Sequence, residues 1–164
     1  MNPRFSFTWP DSPTPRGFGD LQSDLESLIH KSRTSIDIVA YSLSIDKDFI
    51  LNKALNHVIK EYKPEIRIFS NEEATIDSFR YNYGGLGSTI RAWTWDKKGE
   101  KYSIMHVKSI VVNGRELYVG SANFSWTAMS NSAECGLFLS SKPMAMEIRE
   151  YLNRLIDSGR LVEV

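Results

Sequence analysis

The sequence has a single cysteine, Cys135, among 164 residues. That excludes an intrachain disulfide framework and a multi-cysteine zinc cage within one chain. It has no excess charge of either sign, because 20 Lys+Arg balance 20 Asp+Glu. Gripping nucleic acid by bulk positive charge is therefore not expected, although a local basic patch remains open. No apolar run reaches the roughly 18 residues that a membrane helix needs. The opening MNPRFSFTWPDSPTPRGFGD has no apolar core of a signal peptide, so the expectation is a cytoplasmic chain without a membrane anchor. Histidine is scarce, with three residues, and offers no dense ligand cluster. No metal and no cofactor are expected.

What is present is a globular composition, 41% hydrophobic and 24% charged, at a length that suits one domain. Pro3, Pro10, Pro13 and Pro15, with Gly17 and Gly19, make residues 1–19 an irregular N-terminal arm. Phe5, Phe7 and Trp9 alternate there, which permits a short edge strand or a loose arm docked at one end. Residues 20–164 read as one domain.

Asp20 caps a helix over about 20–32, with Leu21, Leu25, Leu28 and Ile29 as its stripe. SIDIVAYSL (35–43) reads as a strand apolar on both faces, as in the centre of a sheet covered by helices. Asp46 opens a second helix, with Phe49, Ile50, Ala54, Leu55, Val58 and Ile59 as its apolar face. EIRIFS (65–70) is a strand and 72–81 a helix. Gly84, Gly85 and Gly87 form a flexible loop ahead of TIRAWTW (89–95), another strand. The loop lacks a P-loop lysine and a following helix, so a phosphate cradle is rejected, and a place beside a substrate groove is left open. DKKGEK (96–101) is a polar turn. IMHVKSIVV (104–112) is the most strand-like stretch. It runs into Asn113-Gly114, the hairpin signal of a type I′ turn, and ELYVGS returns. A loop or short helix over 125–131, a strand over 134–140 and a helix over 143–157 complete the chain. The order predicts an α/β fold, a mixed central β-sheet flanked by helices on both faces.

The chemistry concentrates in HVKSIVVNGRELYVGSANFSWTAMSNSAE, residues 106–134. His106 and Lys108 stand two apart on the expected strand and so share a face. Ser121 and Asn123 repeat that spacing after the hairpin. Pairing of the two strands gathers an imidazole, an ammonium, a hydroxyl and an amide at one surface. Such a set suits a phosphodiester: the imidazole attacks or protonates, and the donors stabilise charge on the non-bridging oxygens.

These residues resemble the phospholipase D superfamily signature, H-x-K-x4-D followed by G-S-x-N. Here it stands as His106-Val107-Lys108, four residues, Asn113, six more, then Gly120-Ser121-Ala122-Asn123. Asn131-Ser132-Ala133-Glu134 resembles the family's Asn-Ser-Glu segment. The resemblance covers about 20–158 and is nearest to the small single-motif bacterial endonucleases and Zucchini-type nucleases of that superfamily. The family's aspartate is Asn113 here. Asn suits a type I′ turn, which needs positive φ, and its amide still makes local hydrogen bonds.

The resemblance implies a metal-independent phosphodiesterase in which one histidine forms a phosphohistidine and a second protonates the leaving oxygen. His30 and His57 lie on expected helices without a neighbouring motif and read as helix-surface histidines. The second catalytic histidine is then expected from another copy of the chain, in a homodimer sharing His106, Lys108, Ser121 and Asn123 from both subunits. Glu134 takes the place of the family's carboxylate, which orients a catalytic histidine. Gly120 and Asn113 are structural motif positions.

Around the motif, Trp93, Trp95 and Trp126 are either core residues or, for Trp95 and Trp126, stacking surfaces for bases. Lys97, Lys98 and Lys101, with Arg91 and Arg115, form a basic stretch that tracks a phosphate backbone or is a solvated turn. Cys135 is expected to be a small buried hydrophobe. Three functions follow: a non-specific endonuclease with DNA and/or RNA as its partner, a phospholipid hydrolase or transferase of the cardiolipin type, or a catalytically degenerate nucleic-acid-binding dimer.

Overall fold

The computed structural model describes residues 3–43 and 49–164. Its elements run β1 (Arg4–Thr8), β2 (Gly19–Asp20), α1 (Leu21–His30), β3 (Ser35–Val39), α2 (Ile50–Tyr62), β4 (Glu65–Ser70) and α3 (Glu73–Tyr83). A 3-10 turn (Gly84–Leu86) then leads to β5 (Ile90–Trp95), β6 (Ser109–Val112), β7 (Glu116–Gly120), α4 (Trp126–Ser130), β8 (Glu134–Ser140), α5 (Lys142–Asp157) and β9 (Leu161–Glu163). Among the described residues the strands form one nine-stranded sheet in the order β2-β1-β8-β7-β6-β3-β4-β5-β9. β3, β4 and β5 are parallel to one another, and β6, β7 and β8 are antiparallel to their neighbours. The expected mixed α/β architecture is the one observed.

Local chemistry sets the boundaries. Asp20 Oδ1 accepts the Ser23 N–H at 2.8 Å and caps α1. Lys63, at φ 51°, closes α2 in the left-handed region ahead of Pro64. Ser141 caps α5 through Met144 N–H, with proline in the first turn. All five residues of β3 are buried, as expected of a central strand covered on both faces. One face packs on α1 to α4, with Ile36, Ile38, Ile66, Ile68, Ile110 and Tyr118 in the shared core. The other packs on α5, where Val39, Phe69, Trp93, Met105 and Leu152 form a second cluster. Asp37 is 1% exposed beneath α5 and is held by Arg67 at 2.7 and 3.0 Å and by Arg149 at 2.8 Å.

The structure departs from the sequence reading at several points, and one expectation cannot be placed on it. The expected irregular arm contributes β1, placed inside the sheet between β2 and β8, because Ser6 and Thr8 bury inward opposite the exposed Phe5. β3 stops at Val39, because the Tyr41 and Ser42 N–H groups go to the Asn123 side chain. The expected opening of the second helix at Asp46 lies outside the described residues, and α2 runs from Ile50. β9, three residues long, follows the Ser158-Gly159 turn and was not expected from the sequence. A further difference concerns residues 104–108 and belongs to the site.

Two ends of the sheet follow from register. Val39 pairs with Ser109, Ser109 with Val119, and Gly120 with Gly136, so these residues mark one end. Ser35 pairs with Glu65, Ile66 with Ile90, and Val112 with both Ile36 and Glu116, so the Asn113-Gly114 turn and the Gly84–Gly87 loop lie at the other.

Candidate active site

His106, Lys108, Ser121, Asn123 and Glu134 all fall at the first end of the sheet. The chain reaches it along residues 104–108, which stand outside the strand: the ladder starts only at Ser109. The strand expected over 104–112 is thus shorter, Ser109–Val112, and its pleat does not set the directions of His106 and Lys108. His106 is exposed, whereas Lys108 is 5% exposed. Lys108 Nζ turns back to donate to the His106 carbonyl at 3.0 Å, and the Lys108 carbonyl accepts from Gly120 N–H at 3.2 Å. Burial pushes the Lys108 ammonium below its ordinary pKa, and the negative charge of Glu134 partly opposes that shift.

Ser121 sits at the junction of β7 and β8. Its hydroxyl donates to Glu134 Oε2 and accepts from Cys135 N–H at 3.1 Å, while its own N–H binds the Cys135 carbonyl at 3.0 Å. Asn123 Oδ1 accepts from Tyr41 N–H at 3.1 Å and Ser42 N–H at 3.3 Å. Two backbone donors demand an oxygen there, which fixes the orientation of the amide. The Tyr41 ring in turn meets the His106 ring edge to face, with centroids 5.9 Å apart.

Gly120 is where glycine is required. A Cβ there would overlap the Tyr118 hydroxyl and the Cys135 carbonyl. The same Tyr118 ring lies over Gly136, the cross-strand partner of Gly120. Tyr118 Oη accepts from Ala122 N–H at 3.2 Å, and burial raises the phenol pKa. One tyrosine thereby shapes the backbone that carries Ser121 and Asn123. It escaped the sequence reading, although its place two residues before Gly120 on one strand face was available as a signal. Tyr41 and Asn71 were also missed, and no motif marks either.

Asn113 is at the opposite end. At φ 52°, followed by Gly114 at φ 60°, and with Arg115 N–H bonded to the Val112 carbonyl at 3.0 Å, it forms the expected type I′ turn. Its Oδ1 accepts from Arg33 N–H at 2.9 Å, Thr34 N–H at 3.0 Å and the Thr34 hydroxyl at 3.2 Å, and its Nδ2 donates to the Lys31 carbonyl at 2.8 Å. The glycine loop 84–87 shares that end, so it does not border this site.

The surrounding candidates separate. Trp126 is half exposed just beyond Asn123. Trp95 is partly buried against the α5 side and donates Nε1–H to Ser103 Oγ at 3.1 Å. Lys98 Nζ is taken by the Ser158 carbonyl at 2.7 Å. Lys97 is exposed, and Lys101 lies over the Tyr102 ring at 5.4 Å. His30 and His57 face each other on α1 and α2, with centroids 5.4 Å apart. Cys135 is exposed rather than buried, a correction that follows from its place on β8 opposite Phe7, on a face that α5 leaves uncovered. Among the described residues no three His, Cys, Asp or Glu side chains are grouped as metal ligands, and no helix is long and apolar enough to cross a membrane.

A mixed sheet that brings a His-x-Lys segment and a Gly-Ser-x-Asn strand end together has the organisation of a phospholipase D-like domain. The family model described as "Cardiolipin synthase, PLD-like domain" matches residues 25–156, and the chain belongs to that family. The fold is shared with Nuc, a phospholipase D family member from Salmonella typhimurium, at a TM-score of 0.72 and 21% identity over 99% of this chain and 97% of that one. NucT from Helicobacter pylori shares it at 0.68 and 19% identity, over 99% of each chain. Phosphatidylserine synthase from Haemophilus influenzae shares it at 0.69 and 12% identity, over 99% of this chain and 39% of that one. A curated relative, the DISARM protein DrmC of Bacillus paralicheniformis, is 25% identical over 137 residues. That match takes in 82% of this chain and 55% of the relative, so the chain spans about half the relative's length.

Proposed function

We propose that this chain is a metal-independent phosphodiesterase, an endonuclease of low sequence preference acting on DNA and/or RNA. The observation that carries the proposal is the convergence of His106, Lys108, Ser121, Asn123 and Glu134 on one end of the sheet. His106 Nε2 attacks phosphorus, forming an N–P bond as the bond to one ester oxygen breaks. The leaving oxygen takes a proton from a second imidazole on the opposite side. That imidazole then removes a proton from water, whose oxygen displaces His106 and regenerates it. Lys108 and the amide NH2 of Asn123 bind the non-bridging oxygens, where charge builds. Glu134, fixed by the Ser121 hydroxyl, orients the imidazole and supports its cationic form.

The second imidazole is His106 of another copy. His30 and His57 pair with each other on α1 and α2 instead of reaching this end. A two-fold axis beside His106 supplies the missing group and doubles the lysines. Val107 and Val119, 39% and 41% exposed, give the same edge an apolar rim suited to self-association. Asn113 does not weaken the proposal, because its side chain staples the far end of the sheet. The deciding experiment is incubation with single- and double-stranded DNA and with RNA in excess EDTA, beside His106→Ala. Cleavage by the wild type alone supports the proposal. Cleavage that EDTA abolishes, or that His106→Ala retains, overturns it.

The family's description as cardiolipin synthase-like favours a second reading, a phospholipid hydrolase or transferase with the same chemistry. Turnover of cardiolipin-containing liposomes, with no polymer cleaved, would favour it.

A further inference from the structure

The imidazole assigned as nucleophile stands on a segment without a strand partner. β6 begins at Ser109, and the last bond from β7 is Gly120 N–H to the Lys108 carbonyl, so among the described residues no strand holds the backbone at His106 itself. Something else must, because a displaced imidazole cannot stay in line with phosphorus. The residue that does so is Asn71, immediately after β4. Its Nδ2 donates to the Met105 carbonyl at 2.7 Å, and its Oδ1 accepts from Met105 N–H at 3.0 Å. One side-chain amide thereby makes the two bonds that a neighbouring strand would make to one residue. Met105 itself is buried with Val39, Phe69 and Trp93, so the clamp is seated in the core.

The neighbouring Ser70 acts on His106 only through Tyr41. Its hydroxyl donates to the Tyr41 carbonyl at 3.2 Å and accepts from Glu72 N–H at 3.2 Å. Tyr41, also tied through its N–H to Asn123, presents its ring to His106. The end of β4 thus holds both the backbone that carries the imidazole and the ring against which it rests.

We propose that Asn71 is a positioning residue for His106, an inference that rests on the nucleophile assignment above. Asn71→Ala removes both bonds to Met105. Its expected effect is a fall in kcat of about 10- to 100-fold with KM changed less than about threefold. Asn71→Asp keeps an acceptor for Met105 N–H but sets a carboxylate oxygen against the Met105 carbonyl. Protonation converts that oxygen to a donor, so kcat of Asn71→Asp relative to wild type rises as pH falls towards about 4.

The test has two arms. Steady-state cleavage across pH reads the kcat and KM effects. Proton NMR of the imidazole resonances, assigned among three histidines by comparison with His106→Ala, reads the position of His106 without substrate. A moved or broadened His106 signal in folded Asn71→Ala, with the His30 and His57 signals unchanged, is the expected result. An unchanged His106 signal and titration, or wild-type kcat in Asn71→Ala, overturns the inference. If the wild type cleaves no polymer, the nuclease reading fails, while the NMR arm still decides whether Asn71 positions His106.

Discussion

His106 and Asn113 flank the same short strand and so work at opposite ends of the sheet. Ser109–Val112 lies between them, about 13 Å of extended chain. One residue serves the candidate site, and the other ties the β6–β7 turn to the loop between α1 and β3.

That separation predicts what Asn113 variants do. Asn113→Asp keeps an acceptor for the Arg33 and Thr34 donors but sets a carboxylate oxygen against the Lys31 carbonyl in place of the lost donation. It should cost about 1 kcal/mol. Asn113→Ala loses the whole set and places a Cβ-only residue at φ 52°, for a cost of about 2–3 kcal/mol. Urea unfolding measures both. Cleavage per folded molecule should be unchanged in each, and a selective loss of kcat would contradict the staple role.

Gly120 and Tyr118 form a second testable pair. Gly120→Ala should destabilise by about 2–4 kcal/mol, because the new methyl meets the Tyr118 ring and a carbonyl. In a Tyr118→Leu background the ring is gone and the methyl has room on that side. The double variant should therefore be at least about 1 kcal/mol more stable than the sum of the single changes predicts. Strict additivity would mean that the ring is not what requires glycine.

How much was legible in the sequence follows from which physics each feature obeys. β4 and β8 carried alternation or apolar runs with clear boundaries, β3 an apolar run with a clear start only, and Asn113-Gly114 specified its turn through positive φ. The motif named His106, Lys108, Ser121, Asn123 and Glu134 because fixed spacing survives in one dimension. What stayed hidden was tertiary. The residues before β6 look like a strand, yet their partner is a side chain 34 residues away in sequence. Tyr41 belongs to the same apolar run as β3 but leaves the ladder because Asn123, 82 residues on, captures its N–H. Cys135 looks buried by residue type, and only the reach of α5 decides that it is not.

The proposed site shared by two subunits makes a prediction about mixed subunits. If both imidazoles are His106 of two copies, a dimer with one His106→Ala subunit lacks either nucleophile or acid. Activity of wild type and His106→Ala, unfolded together and refolded, should then fall as the square of the wild-type fraction. An equal mixture should retain about a quarter of the activity. A linear dependence, with half retained, would show that each chain works alone.

Lys108 gives the pH dependence. In the proposed mechanism the ammonium, not the amine, stabilises charge on phosphate, so activity is lost as Lys108 deprotonates. Burial lowers its pKa from 10.5, which brings the alkaline limb of kcat/KM below that pH. Glu134 opposes the shift, so removing its charge lowers the lysine further. In Glu134→Gln the residual activity should therefore decline at a lower pH than in the wild type. In Lys108→Arg, whose guanidinium stays charged throughout, this limb should disappear from the accessible range, whatever the loss in rate. Rate profiles from pH 6 to about 11 on one substrate compare all three. A limb in Glu134→Gln that moves to higher pH would reverse the sign assigned to the Glu134 charge, and with it the electrostatic link between the end of β8 and the lysine of the motif.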